Sequence, residues 1–241
     1  MPATVLARLQ ARRYHRARSA AGSEMTDFAH ARRIMVDNQL RTSGITDRRL
    51  LAVMGEVPRE LFVPPARREL AYIDGPHPLS ATRQLGAPAP FAKLVQLAAI
   101  QHSERVLDLG CGTGYSSAVL ARLAADVVAV DDDPALVAEA REALGRLGVG
   151  NVTIAAGDLA TVGKSKAPYD VIVLEGVVPA VDEALFAQLK PEGRLVALVG
   201  AAGEVPVAHL FAKSGKGIAA RRDFDARLPP LQKVEDDSFV F

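Results

Sequence analysis

The chain has 241 residues, enough for one large domain with a proper buried core. Hydrophobic residues make up 49% and charged residues 24%, and the net charge is +1, so no global field argues for a nucleic-acid or anionic-membrane partner. Cys111 is the single cysteine, which excludes an intramolecular disulfide; the five histidines show no metal-ligand spacing, and no apolar run is long enough to span a bilayer.

Residues 1–24 carry Arg8, Arg12, Arg13, Arg16 and Arg18 and no acid before Glu24. They read as a basic, disordered extension, as sequence upstream of a start at Met25, or as a leader of the transit type. The first two readings are favoured because Met25-Thr-Asp opens a helix. Thr26 or Asp27 caps that helix, which runs through Leu40 with Phe28, Ala31, Ile34 and Met35 on one face. Thr46 or Asp47 caps a second, carrying Leu50, Leu51 and Met54 and interrupted at Gly55 and Pro58. Val57-Pro-Arg-Glu-Leu-Phe-Val-Pro64 starts a short helical piece. Residues 71–90 predict a long irregular segment broken by Gly75, Pro76, Pro78, Pro88 and Pro90, and a loop of that length inside a domain is usually functional or disordered. Phe91 to Ile100 predicts a helix.

The stretch Val106-Leu-Asp-Leu-Gly-Cys-Gly-Thr-Gly-Tyr115 follows. Val106 to Leu109 reads as a buried strand, Gly110, Gly112 and Gly114 as a tight turn, and Tyr115 to Leu123 as a helix. The dinucleotide fingerprint is GxGxxG, whereas the spacing here is GxGxG with an acid, Asp108, just before it. A carboxylate there repels a pyrophosphate and attracts a cation. S-adenosylmethionine, with an ammonium, a sulfonium and no phosphate, fits that charge.

Further strands are expected at Val127 to Val130, Asn151 to Ile154, Tyr169 to Leu174 and Leu195 to Val199. Helices fall between them, one behind an Asp133 cap with Pro134 at its first position and one from Asp182 to Leu189. Val207 to Phe211 and Ile218 to Phe224 flank Ser-Gly-Lys-Gly217 as a hairpin. The fold class is α/β: a doubly wound, Rossmann-like, mostly parallel seven-stranded sheet, ending in an antiparallel hairpin and preceded by a helical segment. Asp108, Asp131 and Asp158 then fall at the C-terminal ends of consecutive strands, the edge where such sheets bind ligands. Asp108 can face the cationic end of the cofactor, Asp131 the ribose hydroxyls and Asp158 the adenine amino group. Asp132 is undecided, and Asp133 is read as a helix cap.

The framework resembles class I S-adenosylmethionine-dependent methyltransferases, and more narrowly the protein-L-isoaspartate (D-aspartate) O-methyltransferase family, which repairs damaged aspartyl and asparaginyl sites. The resemblance runs from about Arg33 to Leu231 and includes Met35-Val-Asp-Asn-Gln-Leu40, Val57 to Pro64, Ala71-Tyr72-Ile-Asp74, Val106 to Ala121, Gly157-Asp158 and Tyr169-Asp-Val-Ile. The glycine loop is generic to methyltransferases; the Val57 to Pro64 run is far more specific. The resemblance implies S-adenosylmethionine as cofactor, a protein or peptide substrate offering a carboxylate, and a cytoplasmic location, with no metal. It places Asp108, Gly110, Cys111, Gly112, Gly114, Asp131, Asp132, Asp158, Leu159 and Glu175 at the cofactor.

The departures are local. The family loop reads close to Gly-Gln-Thr-Ile-Ser-Gln-Pro, with its serine in the active site, and here Thr82-Arg-Gln-Leu-Gly86-Ala-Pro88 puts Gly86 there. Gln84 or Ser80 can replace the lost donor. Thr-Ala-Ala after the fourth strand becomes Glu175-Gly176-Val177, and Gly-Asp-Gly becomes Gly157-Asp158-Leu159. Residues 25–241 are expected to form one domain, with helices and an acceptor-site loop in 25–100 and the cofactor-binding sheet with its hairpin in 101–241. Two alternatives stand beside carboxylate methylation: the same fold with another acceptor, and a cofactor-binding interaction module without catalysis.

Overall fold

Strands buried on both faces must be apolar throughout, and the short Val- and Leu-rich runs of this chain become the middle of a sheet. The computed structural model describes residues 27–201 and 203–231, so the expectations for residues 1–24 and Thr26 lie outside the described residues. The helical segment comes first. It holds α1 (Phe28–Met35), which continues as a wider helical turn over Val36–Leu40, and α2 (Arg48–Glu56). Asp27 and Asp47 are the caps, each accepting from a backbone N–H of the first turn. Met35 is buried as expected, but Ile34 is 42% exposed, so the apolar face is narrower than the sequence pattern suggested.

Residues 71–90 are less irregular than expected. β1 (His77–Pro78) and β2 (Gln84–Leu85) pair antiparallel within them. The next helix, α3 (Pro88–Ala98), begins at Pro88 rather than Phe91. The second correction has a local reason. Prolines in a first helical turn lose only an N–H that has no partner there, so Pro88 and Pro90 start the helix instead of blocking it.

The main sheet is built from β3 (Arg105–Leu109), β4 (Asp126–Asp131), β5 (Val152–Ala156), β6 (Tyr169–Val178), β7 (Leu189–Val199), β8 (Val207–Ser214) and β9 (Gly217–Asp225). Its order is β5-β4-β3-β6-β7-β8-β9. Every pair from β5 to β7 is parallel, and β7–β8 and β8–β9 are antiparallel. This is the expected doubly wound sheet with its closing hairpin. Helices α4 (Tyr115–Leu120), α5 (Pro134–Arg146) and α6 (Glu183–Ala187) connect the parallel strands, with α5 capped by Asp133 and α6 by Asp182.

The chain leaves β3 toward β4 and later returns to its other side as β6, so the strand order reverses at β3. Open α/β sheets place their ligand crevice beyond the strand ends at such a reversal. Two apolar layers flank the sheet. One packs α1–α4 against Val106, Val171 and Val196, and the other gathers Leu107, Leu109, Ile172, Leu174 and Leu185. After β9 the chain crosses back over the crevice. Val177 N donates to Pro229 O at 3.0 Å and Leu231 N donates to Val177 O at 2.9 Å.

Candidate active site

The bend after β3 is held by its own backbone. Gly110 N and Cys111 N both donate to Val130 O, at 2.8 and 3.2 Å, and Gly112 N donates to Asp131 Oδ2 at 2.8 Å. Three consecutive amides are thereby used internally, so the bend offers no nest for a pyrophosphate. Gly110 has φ +83°, and a Cβ there would lie 2.1 Å from Leu231 Cδ1. Glycine at this position therefore answers both to the backbone and to the returning chain.

Two clefts open along this edge. The first, of about 370 Å³ including its open mouth, is lined by Arg59, Gly86, Gly110, Gly112, Tyr115 and Glu175, among others. Gln84 and Cys111 also face it. The second, of about 640 Å³ by the same measure, is lined by Asp132, Asp158, Leu159, Ala160, Leu185 and Leu231 and their neighbours. The expected site residues thus divide between two compartments. Asp108, Asp131 and Gly114 line neither, and Gly114 instead caps α4 with φ +92°.

Asp108 is fully buried behind the first cleft. Its Oδ2 accepts from Ser116 Oγ at 2.8 Å and Ser117 Oγ at 2.6 Å, while Oδ1 has no partner. Glu175 Oε1, on the wall of the same cleft, is also buried without a partner. Burial pushes the Asp108 carboxyl up to about 6, against the two serine hydroxyls. Burial, and then the Asp108 charge, hold Glu175 well above the usual carboxylate range. Two buried acids with spare oxygens form an anionic pocket end that holds a proton until a cation arrives. Cys111, beside them, is raised by its own burial and then by the charges of Asp108, Asp131 and Glu175. Its thiol stays protonated and is no nucleophile.

Asp131, at the tip of β4, is fully buried. Besides Gly112 N it accepts from Asp133 N at 3.0 Å and pairs with Arg83 at 3.2 Å. Arg83 also donates to Asp132 and to Leu231 O. Sequence reasoning missed Arg83, whose partner Asp131 lies 48 positions away. The guanidinium holds Asp131, the carboxylate expected at the ribose, together with Asp132. Asp158 is exposed on the rim of the second cleft, where its Oδ1 accepts from Ala160 N and Thr161 Oγ1.

One acceptor-loop expectation is corrected. Ser80 does not line the first cleft; it sits in the turn joining β1 to β2, where Ser80 N donates to Arg83 O and its Oγ accepts from Thr82 N. Gly86 and Gln84 do line it. A Cβ on Gly86 would lie 2.4 Å from Leu228 Cδ2. Gly86→Ser is therefore expected to cost about 1 kcal/mol, the lower end for overpacking, because the obstacle is the tip of a leucine. Adding Leu228→Ala should remove the clash but opens a cavity of its own, so the double variant should fall less far than the two single losses combined. Urea unfolding of the three variants checks that non-additivity.

The motif from Val57 to Pro64 is tied to this edge. Thr113 Oγ1 donates to Phe62 O at 2.6 Å, and the Phe62 ring meets Tyr115 edge-on with centroids 5.7 Å apart. Glu60 is held by Arg32 at 3.0 Å and by the Tyr72 hydroxyl.

The strand order, the bend with its internally spent amides and the acids beyond successive strand tips define the class I methyltransferase architecture. The model of the protein-L-isoaspartate (D-aspartate) O-methyltransferase family matches residues 31–234. Protein-L-isoaspartate O-methyltransferase 2 of an Anaeromyxobacter species is 38% identical over 202 residues, 84% of this chain and 83% of its own length. The protein-L-isoaspartate O-methyltransferase of Koribacter versatilis is 36% identical over 88% of this chain and 95% of its own. A Plasmodium falciparum structure, titled a putative protein-L-isoaspartate O-methyltransferase in complex with S-adenosyl-L-homocysteine, superposes with a TM-score of 0.71 at 23% identity, covering 83% of this chain and 98% of that one. That last likeness bears on the fold alone. This chain belongs to the protein-L-isoaspartate (D-aspartate) O-methyltransferase family.

Proposed function

We propose that the chain methylates the free carboxylate of isoaspartyl residues in proteins or peptides, using S-adenosylmethionine. The observation that carries this reading is the buried acid end of the first cleft, where Asp108 Oδ1 and Glu175 Oε1 have no donor besides the proton the two carboxyls share. Ionising both buried acids is costly, and a cationic ligand group offsets that cost. The residues fit the cofactor at that end. Asp108 and Glu175 would take its cationic methionine portion, Asp131 its ribose hydroxyls once Arg83 withdraws, and Asp132, Asp158 and Leu159 the nucleoside side of the second cleft.

Bound S-adenosylmethionine supplies a methyl group on sulfur, and the carbon–sulfur bond breaks toward sulfur as a carboxylate oxygen takes the methyl. The protein has no base to provide, since a free carboxyl with a reference pKa of about 4 is already ionised at neutral pH. Its work is to align the acceptor and exclude water, and alignment alone accounts for a large part of such rate enhancements. Gly86 and Leu228, from the returning chain, pack together on the wall of the first cleft.

The test is transfer of labelled methyl to a peptide containing one isoaspartyl residue, beside the same peptide with ordinary aspartate. Label is expected on the first and not on the second, released by mild base as expected of a methyl ester. S-adenosylhomocysteine binding without transfer to either peptide would overturn the reading.

A further inference from the structure

Arg59 heads the fully buried side chains by size. Its Nε donates to Ala71 O at 2.8 Å and its Nη2 to Gly86 O, but Nη1 is buried with no partner. Among the described residues it makes no ion pair, and the neighbouring acid, Glu60, is committed to Arg32. A buried guanidinium without a counter-ion is rare, because desolvating a charge is costly unless an opposite charge compensates it. Loop anchoring through the two carbonyls explains two of its nitrogens and leaves the third unexplained.

The second observation concerns the neighbour of this guanidinium. Tyr115 stacks against that guanidinium, 4.7 Å from ring centroid to Cζ; its buried hydroxyl lies where it can accept from Arg59 and leaves its own proton without an acceptor. Both side chains line the first cleft together with Gly86 and Glu175. Arginine has only donors, and burial raises the Tyr115 phenol, so that it too is protonated and able to donate. A guanidinium without a counter-ion beside a phenol, and two acids that share a proton, give the cleft two unlike regions.

We propose that Arg59 Nη1 and Tyr115 Oη form the subsite that binds the acceptor carboxylate, holding one of its oxygens while the other faces the acid end of the cleft. The assignment rests on the carboxylate-methylation reading above. It also resolves a difficulty raised by Glu175, whose charge would otherwise repel an anionic acceptor. A guanidinium balances one carboxylate, and its planar fork matches carboxylate geometry. The subsite would further stand in for the hydroxyl lost at Gly86, since Nη2 already reaches the Gly86 carbonyl. His77 also lies near Arg59, but burial and the Arg59 and Arg67 charges hold its imidazole down to about 4, so it adds no charge at neutral pH.

The experiment compares binding of two fluorescent peptides in the presence of S-adenosylhomocysteine. One carries an isoaspartyl residue and the other the same isopeptide backbone with a carboxamide in place of the free carboxyl. The wild-type chain is expected to prefer the acid by about 100-fold, as for a desolvated charge-assisted hydrogen bond. Arg59→Gln should bring that ratio close to one, and Tyr115→Phe, which keeps the ring and the packing, should lower it by about tenfold. Affinity for S-adenosylhomocysteine should change far less in both. A purely structural Arg59 would weaken both peptides together and leave the ratio intact. Equal binding of acid and amide by the wild-type chain overturns the subsite, as does a ratio that survives Tyr115→Phe and Arg59→Gln. Methylation of the isoaspartyl peptide alongside either result leaves the proposed activity standing and removes only the subsite. If the wild-type chain neither binds nor methylates the peptide, the activity falls and the subsite with it.

Discussion

Glu175→Gln is expected to weaken S-adenosylmethionine binding by about 10- to 100-fold, the range for one charge-assisted hydrogen bond. The same change should raise the thermal midpoint of the ligand-free chain by roughly 2–4 °C, about 1 kcal/mol for a domain of this size. Opposite effects on binding and stability follow from one cause. In the free chain the Asp108 and Glu175 carboxyls are both raised, chiefly by burial, with the Asp108 charge adding to the rise at Glu175. The folded state then binds more protons than the unfolded one above the ordinary carboxylate range, and stability falls as pH rises from about 4 through 6 and beyond. Glutamine carries no charge, so the variant should lose much of that slope. Binding has the opposite sign. A cation favours the ionised pair, so affinity should rise with pH and a proton should leave the protein on binding. Calorimetry in two buffers of different ionisation enthalpy reads the proton directly. S-adenosylhomocysteine lacks the sulfonium charge, so its affinity should fall less in the variant. Unchanged affinity for S-adenosylmethionine would remove Glu175 from the cofactor site.

The sheet was legible because its signal is local. A parallel strand covered on both faces must be apolar along its length, and Val127 to Val130 and Tyr169 to Leu174 carry that mark in consecutive letters. The Asp133 cap was equally visible, and Asp27 and Asp47 were each one of two candidates, since an aspartate before a helix answers N–H groups two or three positions on. The acids at the strand tips followed from the same regularity. What stayed hidden depends on distant pairs. Arg83 meets Asp131 from a loop 48 residues earlier, and its carbonyl partner Leu231 lies 148 residues away. Nothing near Arg83 distinguishes it from a solvated loop arginine. Arg59 was in view inside a recognised motif, yet the unpaired state of its Nη1 depends on Glu60 choosing Arg32 instead. Ser80 was misplaced for the related reason that a turn decides which of its side chains face inward, and the β1–β2 pairing was not foreseen.

Arg83→Met is expected to tighten S-adenosylhomocysteine binding by about tenfold or more while lowering the thermal midpoint of the free chain. Asp131 is the carboxylate proposed for the ribose, and in the free chain Arg83 holds it together with Asp132. Cofactor entry must therefore break a pair in which Arg83 is 4% and Asp131 0% exposed. Removing one partner of a buried pair typically costs about 3–5 kcal/mol. Here Gly112 N and Asp133 N still hold Asp131, which keeps the loss at the low end of that range. Much of the energy that the wild type spends in separating the pair then no longer opposes the ligand. Leu231 is the second obstacle, since it lines the second cleft and lies against the α-carbon face of Gly110. Leu231→Ala should add to the gain, but less than independently, because Arg83 also bonds the Leu231 carbonyl and the two move together. Titration calorimetry on the two single variants and the double variant measures that coupling. The competing possibility is that Arg83 swings onto the cofactor itself, for example onto its carboxylate. In that case Arg83→Met would weaken binding instead of tightening it, and the sign of the change decides between a residue that blocks the ribose site and one that completes it.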